Sequence, residues 1–291
     1  MQLSICQLAV TVFWMSTHTS GLVRDLDVLE LLGSEEVFEQ GGLGVQDIAS
    51  ETGRDKAQIS RVCRTLYEVG LLVRHPVTKK YALGHRLYAM ALRTREAHLA
   101  ALAQRTLLEL VVQAEESAHL TVLRGGGVLT VRTELSQHTL RDGSMSGVTL
   151  PALRTASGRA ILATYSDSEL SAWWEEHGVW RPPPEDAPKL PGETPQLRRL
   201  RRQPGSIRSL TGLKRVVRRV QKVGYAVSVG ELNPDIVDAA AAIVDPTGTA
   251  VGAIAVGAVR ERIGGHYELM GEAVTTHARR ISELLGNPAT D

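Results

Sequence analysis

The chain has 291 residues, of which 43% are hydrophobic and 22% are charged, and its formal net charge is +1. The length accommodates two domains, and the composition is that of a globular protein with a core, which excludes the disordered and fibrous classes. Because the net charge is close to zero, attraction to a polyanion must come from a local patch and not from the whole surface.

The two ends of the chain are interpreted as tails. Residues 1–20 contain an apolar stretch, Leu8–Met15, and the first basic residue is Arg24. A secretory signal begins with basic residues and a membrane span needs about 20 apolar residues, so the sequence predicts neither. Residues 1–20 are therefore a disordered tail or an over-extended start, with Met15 as an alternative initiator, and residues 287–291 are a second tail.

A first helix opens the N-terminal module, which we place at residues 21–84. Leu22, Leu26, Leu29 and Leu32 repeat at helical spacing, and Gly33 ends the run. This spacing predicts an amphipathic helix with one buried side.

A helix-turn-helix is predicted next, after a flexible glycine-rich approach over residues 41–44. Ala49, Gly53 and Ile59 stand where such a unit needs a small, a turning and a buried residue. Ala49 lets the second helix approach the first, Val45–Thr52. Gly53 permits a left-handed turn, and Ile59 fills the angle between the helices. Such an element serves mainly to lay its second helix in the major groove of DNA.

The second helix is predicted to begin after an N-cap at Asp55 and to stop at Gly70. Four apolar residues form its inner face, namely Ile59, Val62, Cys63 and Leu66. The side chains expected to reach the groove are Lys56, Gln58, Ser60, Arg61 and Arg64. Arginine can bind guanine bidentately and glutamine can pair with adenine. The set therefore predicts base contacts, against the alternative of a winged helix that docks on protein.

A basic hairpin completes the module as a winged helix-turn-helix. Its strands are predicted at Leu71–Arg74 and Lys80–Leu83, around a Pro76–Lys79 turn. Its side chains suited to phosphates or a minor groove are Arg74, His75, Lys79 and Lys80. From Arg54 to Arg86, eight Lys and Arg residues and two acids leave a local net charge of +6.

An amphipathic linker helix is predicted at residues 85–98. Leu87, Met90, Ala91 and Leu92 lie along one of its sides. Such a stripe packs either on a second subunit, which would make this a dimerisation helix, or on its own domain. The sequence leaves both open.

Residues 99–286 are predicted to form an α/β domain, with helices packed on a sheet. The predicted strands are His119–Leu123, Val128–Thr133, Tyr225–Val229, Ala239–Val244 and Val251–Val259. The predicted helices are Leu102–Glu116, Ser157–Tyr165 entered through Thr155, and Tyr267–Leu285. A turn at Gly125–Gly127 joins the first two strands.

The segment 181–222 is unusual in composition. Seven prolines between Arg181 and Gly205 predict an extended, mobile insertion. The stretch Arg198–Lys222 holds ten basic residues and no acid, and it ends in a helix with one apolar and one basic face. Two interpretations stay open. The basic face is a second contact for nucleic acid or a membrane, or it is a solvated face that covers the sheet.

Five motifs in fixed order carry a resemblance to a known family. They are Val45-Gln-Asp-Ile-Ala49, Ile59-Ser-Arg-Val-Cys-Arg-Thr-Leu66, Lys80-Tyr-Ala-Leu-Gly84, Thr155-Ala-Ser-Gly-Arg-Ala-Ile-Leu-Ala163, and Gly224-Tyr-Ala226 followed by Glu231. Through them, Leu22 to Gly286 resembles the IclR family of bacterial transcriptional regulators. The resemblance implies a winged helix, a dimerising linker helix and a C-terminal GAF-like effector-binding domain. It also implies operator DNA as partner, homodimers or tetramers of two dimers, and a small organic effector, often a carboxylic or aromatic acid.

The resemblance also implies where an effector binds. The matching loop and helix start are Ala156, Ser157 and Gly158, and the matching strand residues are Ser228, Ile236, Asp238, Ala255 and Gly257. A helix N-terminus offers N–H groups to a carboxylate. The position of Ser228 is often an acid in the family and that of Asp238 is often Cys. Because an unpaired carboxylate is costly among apolar residues, Asp238 is expected either to select an effector with a donor or positive group, or to form a salt bridge within the domain.

Two other function classes are weighed against a ligand-controlled regulator. An enzyme with an appended DNA-binding domain is disfavoured because Ser157 lacks a nucleophile-elbow motif and the Gly125–Gly127 turn lacks the Lys of a phosphate loop. The nine histidines show no paired metal spacing and the two cysteines cannot build a zinc site, so no metal or cofactor is expected. Two cysteines give no disulfide framework and suit a reducing cytoplasm. No membrane partner is expected, because the sequence predicts no membrane span. A constitutive DNA binder whose large domain only oligomerises stays open.

Overall fold

The computed structural model describes residues 21–139, 145–179 and 205–286, and the chain divides into two compact units between His98 and Leu99. Both predicted tails and the insertion as far as residue 204 lie outside the described residues. Among the described helices, none is long and apolar enough to cross a membrane.

The first unit contains the expected winged helix-turn-helix. Its helices are α1 (Gly21–Leu32), α2 (Glu35–Glu39), α3 (Val45–Thr52), α4 (Lys56–Glu68) and α5 (His85–Ala91), and its strands are β1 (Leu72–Arg74) and β2 (Tyr81–Leu83). The two strands pair antiparallel. The core contains the fully buried side chains of Val28, Ile48, Ile59 and Cys63.

The turn between α3 and α4 confirms two predictions. Gly53 ends α3 in the left-handed conformation with φ of 63°, where a residue without Cβ is favoured. Asp55 caps α4, because its carboxylate accepts hydrogen bonds from the N–H groups of Ala57 and Gln58 at 2.9 and 3.1 Å. These local devices fix where the second helix begins.

The glycine-rich approach is more ordered than predicted. Leu43 pairs with Tyr81 as an isolated antiparallel bridge, which adds a third segment to the wing. Gly42 has φ of +99°, and a Cβ there would lie 2.2 Å from the carbonyl oxygen of Tyr81. The glycine therefore permits a close approach of two backbones and is not a sign of flexibility.

The prediction of one linker helix over residues 85–98 is wrong. Helix α5 ends at Ala91, and a new helix, α6, runs from Arg95 to Ala114. Thr94 lies at the break, where its hydroxyl accepts a hydrogen bond from the N–H of Ala97 at 3.2 Å. A threonine that caps a new helix start competes with continuation of the preceding helix.

The second unit is built on a six-stranded antiparallel sheet. Its strands are β3 (Ser117–Arg124), β4 (Gly127–Glu134), β5 (Thr149–Pro151), β6 (Ala226–Val229), β7 (Ile236–Val244) and β8 (Ala250–Val259). The order across the sheet is β5-β4-β3-β8-β7-β6. The strands predicted from sequence are confirmed to within three residues at each end, as is the hairpin turn between β3 and β4.

Helices cover both faces of this sheet. Besides α6, they are α7 (Ala156–Leu162), α8 (Asp167–His177), α9 (Leu210–Val223), α10 (Arg260–Ile263) and α11 (Tyr267–Leu284). Helices α6 and α11 pack on one face in a large apolar cluster. Helices α7, α8 and α9 pack over the other face in a second cluster. Sequence reasoning missed α8, although Ser166 and Glu169 form a capping box at its start.

Candidate nucleic-acid interface and effector site

The recognition helix α4 turns its predicted contact residues away from the core. Ile59 and Cys63 are fully buried, while Lys56, Ser60, Arg61 and Arg64 are exposed and Gln58 is half-buried. Because α4 packs through its inner face, Lys56, Ser60, Arg61 and Arg64 lie on its accessible side, and Gln58 lies at the edge of the buried face. This arrangement can present two arginines to the edges of bases.

The positive patch around α4 is smaller than the sequence count of +6 suggests. Arg54 forms an ion pair with Asp25 at 2.9 Å, and its guanidinium also donates to the carbonyl oxygen of Arg24 at 2.6 Å. The guanidinium of Arg86 donates to the carbonyl oxygen of Val69 at 2.7 Å. The carboxylate of Asp25 therefore compensates the charge of Arg54, whereas Arg86 is exposed, is hydrogen-bonded to a neutral carbonyl group and keeps its charge.

Contacts with neighbouring groups hold the basic side chains of the wing in place. The guanidinium of Arg74 lies 5.4 Å from the ring centroid of Tyr81, a cation–π contact. The amines of Lys79 and Lys80 donate to the carbonyl oxygens of Pro76 and Gln40 at 2.6 and 3.0 Å. These cations are held in place before any partner arrives, which lowers the entropy cost of binding a phosphate.

His75 has a structural role in the wing. Its Nδ1 accepts hydrogen bonds from the N–H groups of Val77 and Thr78 at 3.2 and 3.1 Å. The ring thereby stabilises the turn between β1 and β2. Its predicted contact with DNA stays a prediction, made by a ring already oriented by the turn.

Cys63 is a core residue of α4. Burial raises the pKa of its thiol to about 11, although the nearby charge of Arg54 acts in the opposite direction. A thiol with so high a pKa is protonated at neutral pH and is a poor nucleophile. This agrees with its interpretation as a small buried hydrophobe.

The sheet brings the five predicted strand residues of the effector site to one face. Ser228, Asp238 and Gly257 lie side by side on β6, β7 and β8. Ile236 and Ala255 lie two residues away on the same face, because side chains alternate along a strand. This is the face covered by α7, where Ala255 packs in the same cluster as Ala156.

The start of α7 bears on one expectation about ligand binding. The N–H of Ala156 donates to the carboxylate of Asp238 at 3.4 Å, and the N–H of Gly158 donates to the hydroxyl of Thr155 at 3.1 Å. Both N–H groups are therefore already engaged within the protein, and binding of an effector at the start of α7 stays a prediction. Asp238 supplies a carboxylate at this position from the protein itself.

Ser157 and Gly158 lie in the first turn of α7, and both are buried. A Cβ on Gly158 would lie 2.2 Å from the carbonyl oxygen of Ala152. The residue therefore allows α7 to pack closely on the short 3₁₀ turn Ala152–Arg154 that precedes it. This close packing is a sufficient reason for glycine at this position.

Sequence reasoning missed the buried ion pair that anchors α7. Arg159 and Glu231 lie 2.6 Å apart, with side chains only 8% and 11% exposed. The guanidinium of Arg159 also donates to the carbonyl oxygens of Leu153 and Val227 and to the hydroxyl of Ser206 at 2.9, 3.2 and 3.2 Å. One side chain thus ties together four segments of the domain. Both residues belong to motifs noted in the sequence, but nothing local indicated that they pair.

Glu231 is held as a carboxylate by these contacts. Burial raises its pKa, but hydrogen bonds from Ser206 and Arg159 and the charge of Arg159 outweigh burial, so the pKa lies below its usual value. Arg154 donates to the main-chain carbonyl of Glu231, and burial lowers the pKa of this arginine. The network fixes the 3₁₀ turn and the start of α7 against the sheet.

Strand β3 contributes polar residues that the sequence analysis did not select. Ser117 pairs with Gly257, and His119 pairs with Ala255, so both lie on the face covered by α7. Both are buried, and Nδ1 of His119 lies 3.0 Å from the hydroxyl of Thr133. The signal was present in the sequence, because Ser117, His119 and Thr121 alternate with apolar residues in a strand that is buried on both faces.

Among the described residues, no group of three or more His, Cys, Asp or Glu side chains could hold a metal ion.

Two family models match the sequence. The model described as the IclR helix-turn-helix domain matches residues 21–76. The model described as the C-terminal domain of the bacterial transcriptional regulator IclR matches residues 91–184 and 193–283. Together they account for most of the chain and for both units.

Similar proteins and structures agree with these matches. A glycerol operon regulatory protein of Streptomyces coelicolor is 28% identical over 282 residues, which cover 94% of this chain and 98% of that protein. An IclR homologue of Microbacterium hydrocarbonoxydans, solved with 4-hydroxybenzoate, has a TM-score of 0.72 and 20% identity, covering 92% of this chain and 99% of its own. The IclR of Thermotoga maritima has a TM-score of 0.66 and 21% identity, covering 92% and 100%. Both structures have the same fold as this chain.

Proposed function

This chain belongs to the IclR family of bacterial transcriptional regulators. We propose that it binds an operator as a homodimer or tetramer, and that its affinity for the operator changes when an effector binds to the face of the sheet covered by α7. The family comprises DNA-binding regulators with an effector-binding C-terminal domain and not enzymes. The finer parts of the proposal are the contact residues, the effector's chemistry, the assembly and a cytoplasmic location.

In this proposal, side chains of helix α4 contact the bases of the operator. Arg61 and Arg64 are exposed on the outer side of a helix whose inner side is buried. They can bind guanine, Gln58 can pair with adenine, and Lys56 and Ser60 can add contacts to bases or phosphates. The wing residues Arg74, His75, Lys79 and Lys80 fix the register on phosphates or in a minor groove.

Assembly through the linker is supported by the exposed apolar residues of α5. No residue of this helix is buried, and Tyr88, Met90 and Leu92, at the end of the helix, are exposed, Tyr88 by 69%. Large apolar side chains in so short a segment favour burial by a partner. A second copy of the same helix is the partner that an isologous dimer would supply.

The observation that carries the effector proposal is a row of polar residues on the face covered by α7, in which Ser117 and Ser228 are buried and Asp238 is half-buried. Ser117, Gly257, Asp238 and Ser228 lie side by side across four strands. These side chains have hydrogen-bond partners within the protein, since the hydroxyl of Ser117 accepts from the N–H of Ser136 at 3.3 Å and that of Ser228 donates to the carbonyl oxygen of Arg154 at 3.1 Å. Polar groups held in place in this way can orient a bound organic molecule. This argument favours an effector-controlled regulator over a constitutive binder whose large domain only oligomerises.

Asp238 favours an effector that does not place a carboxylate at the start of α7. Its own carboxylate lies 3.4 Å from the N–H of Ala156, and a second carboxylate beside it would be repelled. An effector that donates hydrogen bonds, such as a polyol, suits this row better than an aromatic acid. The relative named for a glycerol operon makes glycerol a reasonable first compound.

The test is fluorescence anisotropy of the full-length protein on labelled DNA from its own upstream region, with glycerol and with 4-hydroxybenzoate. Arg61→Ala should weaken binding about tenfold to hundredfold through loss of one bidentate base contact. The matched control is Arg24→Ala on α1, which is also an exposed arginine. Equal losses in both variants would contradict the role of α4, and sequence-specific binding that neither compound shifts would favour the constitutive binder.

A further inference from the structure

Helix α9 carries a continuous basic stripe. Arg215, Arg218, Arg219 and Lys222 follow the spacing i, i+3, i+4 and i+7, and all four are exposed. The whole helix contains five basic residues and no acid. The fifth, Lys214, lies beside the stripe with its amine 3.7 Å from the carboxylate of Asp167.

The stripe is fixed to the second unit by the opposite side of the helix. Leu213, Val217 and Val220 are buried in the cluster that α9 shares with α7, α8 and the sheet. The hydroxyl of Ser209 caps the helix start, and Gly224 ends it in the left-handed conformation. The four charges are therefore held together on a rigid element, although like charges four residues apart disfavour a helix.

We propose that this stripe is a second DNA contact, which binds backbone phosphates beside the operator. The four cations span about 10 Å along the helix axis. Each DNA strand carries one phosphate per about 3.4 Å of axis, so the two charge densities match. This contact rests on DNA binding by the family but not on the proposed effector site.

A membrane fits the stripe less well than DNA. A helix that lies in a membrane interface inserts an apolar face into the lipid, and the buried residues of α9 are already engaged in the core. A merely solvated surface usually mixes both signs of charge, whereas α9 contains no acid. A phosphate backbone needs neither an apolar face nor base contacts.

The experiment measures the salt dependence of DNA affinity for full-length Arg215→Gln/Arg219→Gln. Each lost phosphate contact should lower the magnitude of the slope of log K against log salt concentration by about 0.9. We expect a decrease of about 2 on an operator fragment extended by about two helical turns on each side. The decrease should be smaller on a fragment trimmed to the operator. The control is Arg260→Gln/Arg279→Gln, which removes two exposed arginines from α10 and α11.

An unchanged slope in the α9 variant, or the same decrease in the control, would overturn the proposal. If the α9 variant keeps the salt dependence of DNA binding but loses binding to vesicles of anionic lipid, the proposal is also overturned, because the stripe would then contact membranes. Arg61→Ala separates this proposal from the function of α4. If Arg61→Ala weakens operator binding and the α9 variant does not, only the stripe has failed. Thermal melting of every variant controls for folding.

Discussion

The two faces of the six-stranded sheet bury different chemistry. Towards α6 and α11, the central strands present apolar side chains alone, namely Ala118, Leu120, Val122, Val237, Ala239, Ala241, Ile243, Ile254, Val256 and Ala258. Towards α7, the sheet presents Ser117, His119 and Thr121 on β3, Asp238 on β7 and Ser228 on the edge strand β6, among alanines and glycines. Because side chains alternate along each strand, one set of strands can serve a core and a recognition surface. The first face packs as an apolar core, and the second is the face on which we propose that the effector binds.

The largest expected loss of stability comes from removing one member of the ion pair that anchors the face covered by α7. Arg159→Leu would leave the carboxylate of Glu231 buried without its main partner. Loss of one member of a buried pair costs about 3–5 kcal/mol of unfolding free energy, which urea denaturation would measure. The double variant Arg159→Leu/Glu231→Leu is the control, and it should recover part of the loss. If Arg159→Leu costs less than about 1 kcal/mol, the network does not anchor this face.

A cavity in the apolar face should lower the free energy of unfolding. Ile254 is fully buried between the sheet and the helices α6 and α11, so Ile254→Ala should cost about 2–5 kcal/mol of unfolding free energy. Leu269→Ala removes a side chain that is 68% exposed, and it should change stability by less than about 0.5 kcal/mol. Similar losses in both variants would mean that this face is not the stabilising core.

The network around Glu231 should make stability depend on pH. Its folded-state pKa lies below the usual value, so the unfolded state binds more protons in acid. Its contribution to stability is therefore present above the unfolded pKa and is lost as pH falls through the folded pKa. The difference in unfolding free energy between the wild type and Glu231→Gln should shrink as pH is lowered below about 4. A difference that stays constant down to pH 2 would assign the stabilisation to packing.

Substitution on the polar row should separate ligand response from stability. Asp238→Asn keeps the shape of the side chain but removes the charge that lies beside the N–H of Ala156. The effector concentration that produces half of the maximal change in operator affinity should rise about tenfold, which corresponds to the loss of one charge-assisted hydrogen bond. Thermal stability should change little. Asp235→Asn, at an exposed aspartate just before β7, is the control. Equal responses in both variants would remove Asp238 from the site.

The smallest expected effect is at the solvent side of α6. Arg105 and Glu109 lie 3.0 Å apart, but the Arg105 side chain is 85% exposed. Exposed pairs at this spacing contribute little to stability because solvent screens them, so Arg105→Ala should barely change the midpoint of urea denaturation. A loss comparable to that of Ile254→Ala would show that stability on this side depends on charge and not on the apolar face.

Local signals explain what could be predicted from the sequence. Helical leucine spacing, the turn at Gly53 and the cap at Asp55 were sufficient for the N-terminal module, and the apolar strands of the second unit were found from their composition. The break between α5 and α6 was missed because the apolar stripe continues through it and only Thr94 marks the new start. Predicted site residues on β6, β7 and β8 were known only through family resemblance.

The long-range contacts could not be predicted. Ala156 and Asp238 are 82 residues apart in sequence, and Arg159 and Glu231 are 72 apart. Nothing in the spacing of either pair indicates contact, because their approach depends on the order of strands in the sheet. For the same reason, Ser117 and His119 were not linked to Gly257 and Ala255 before the register of β3 and β8 was known.

The most direct test of the difference between the two faces is amide hydrogen exchange of the full-length protein, with and without whichever of glycerol and 4-hydroxybenzoate shifts operator affinity. Exchange reports local opening of each segment. We expect slower exchange at the start of α7 and along β6 and β7, with no change in α11. Slower exchange confined to α6 and α11 would contradict the account, because the effector would then act on the apolar face and not on the polar one.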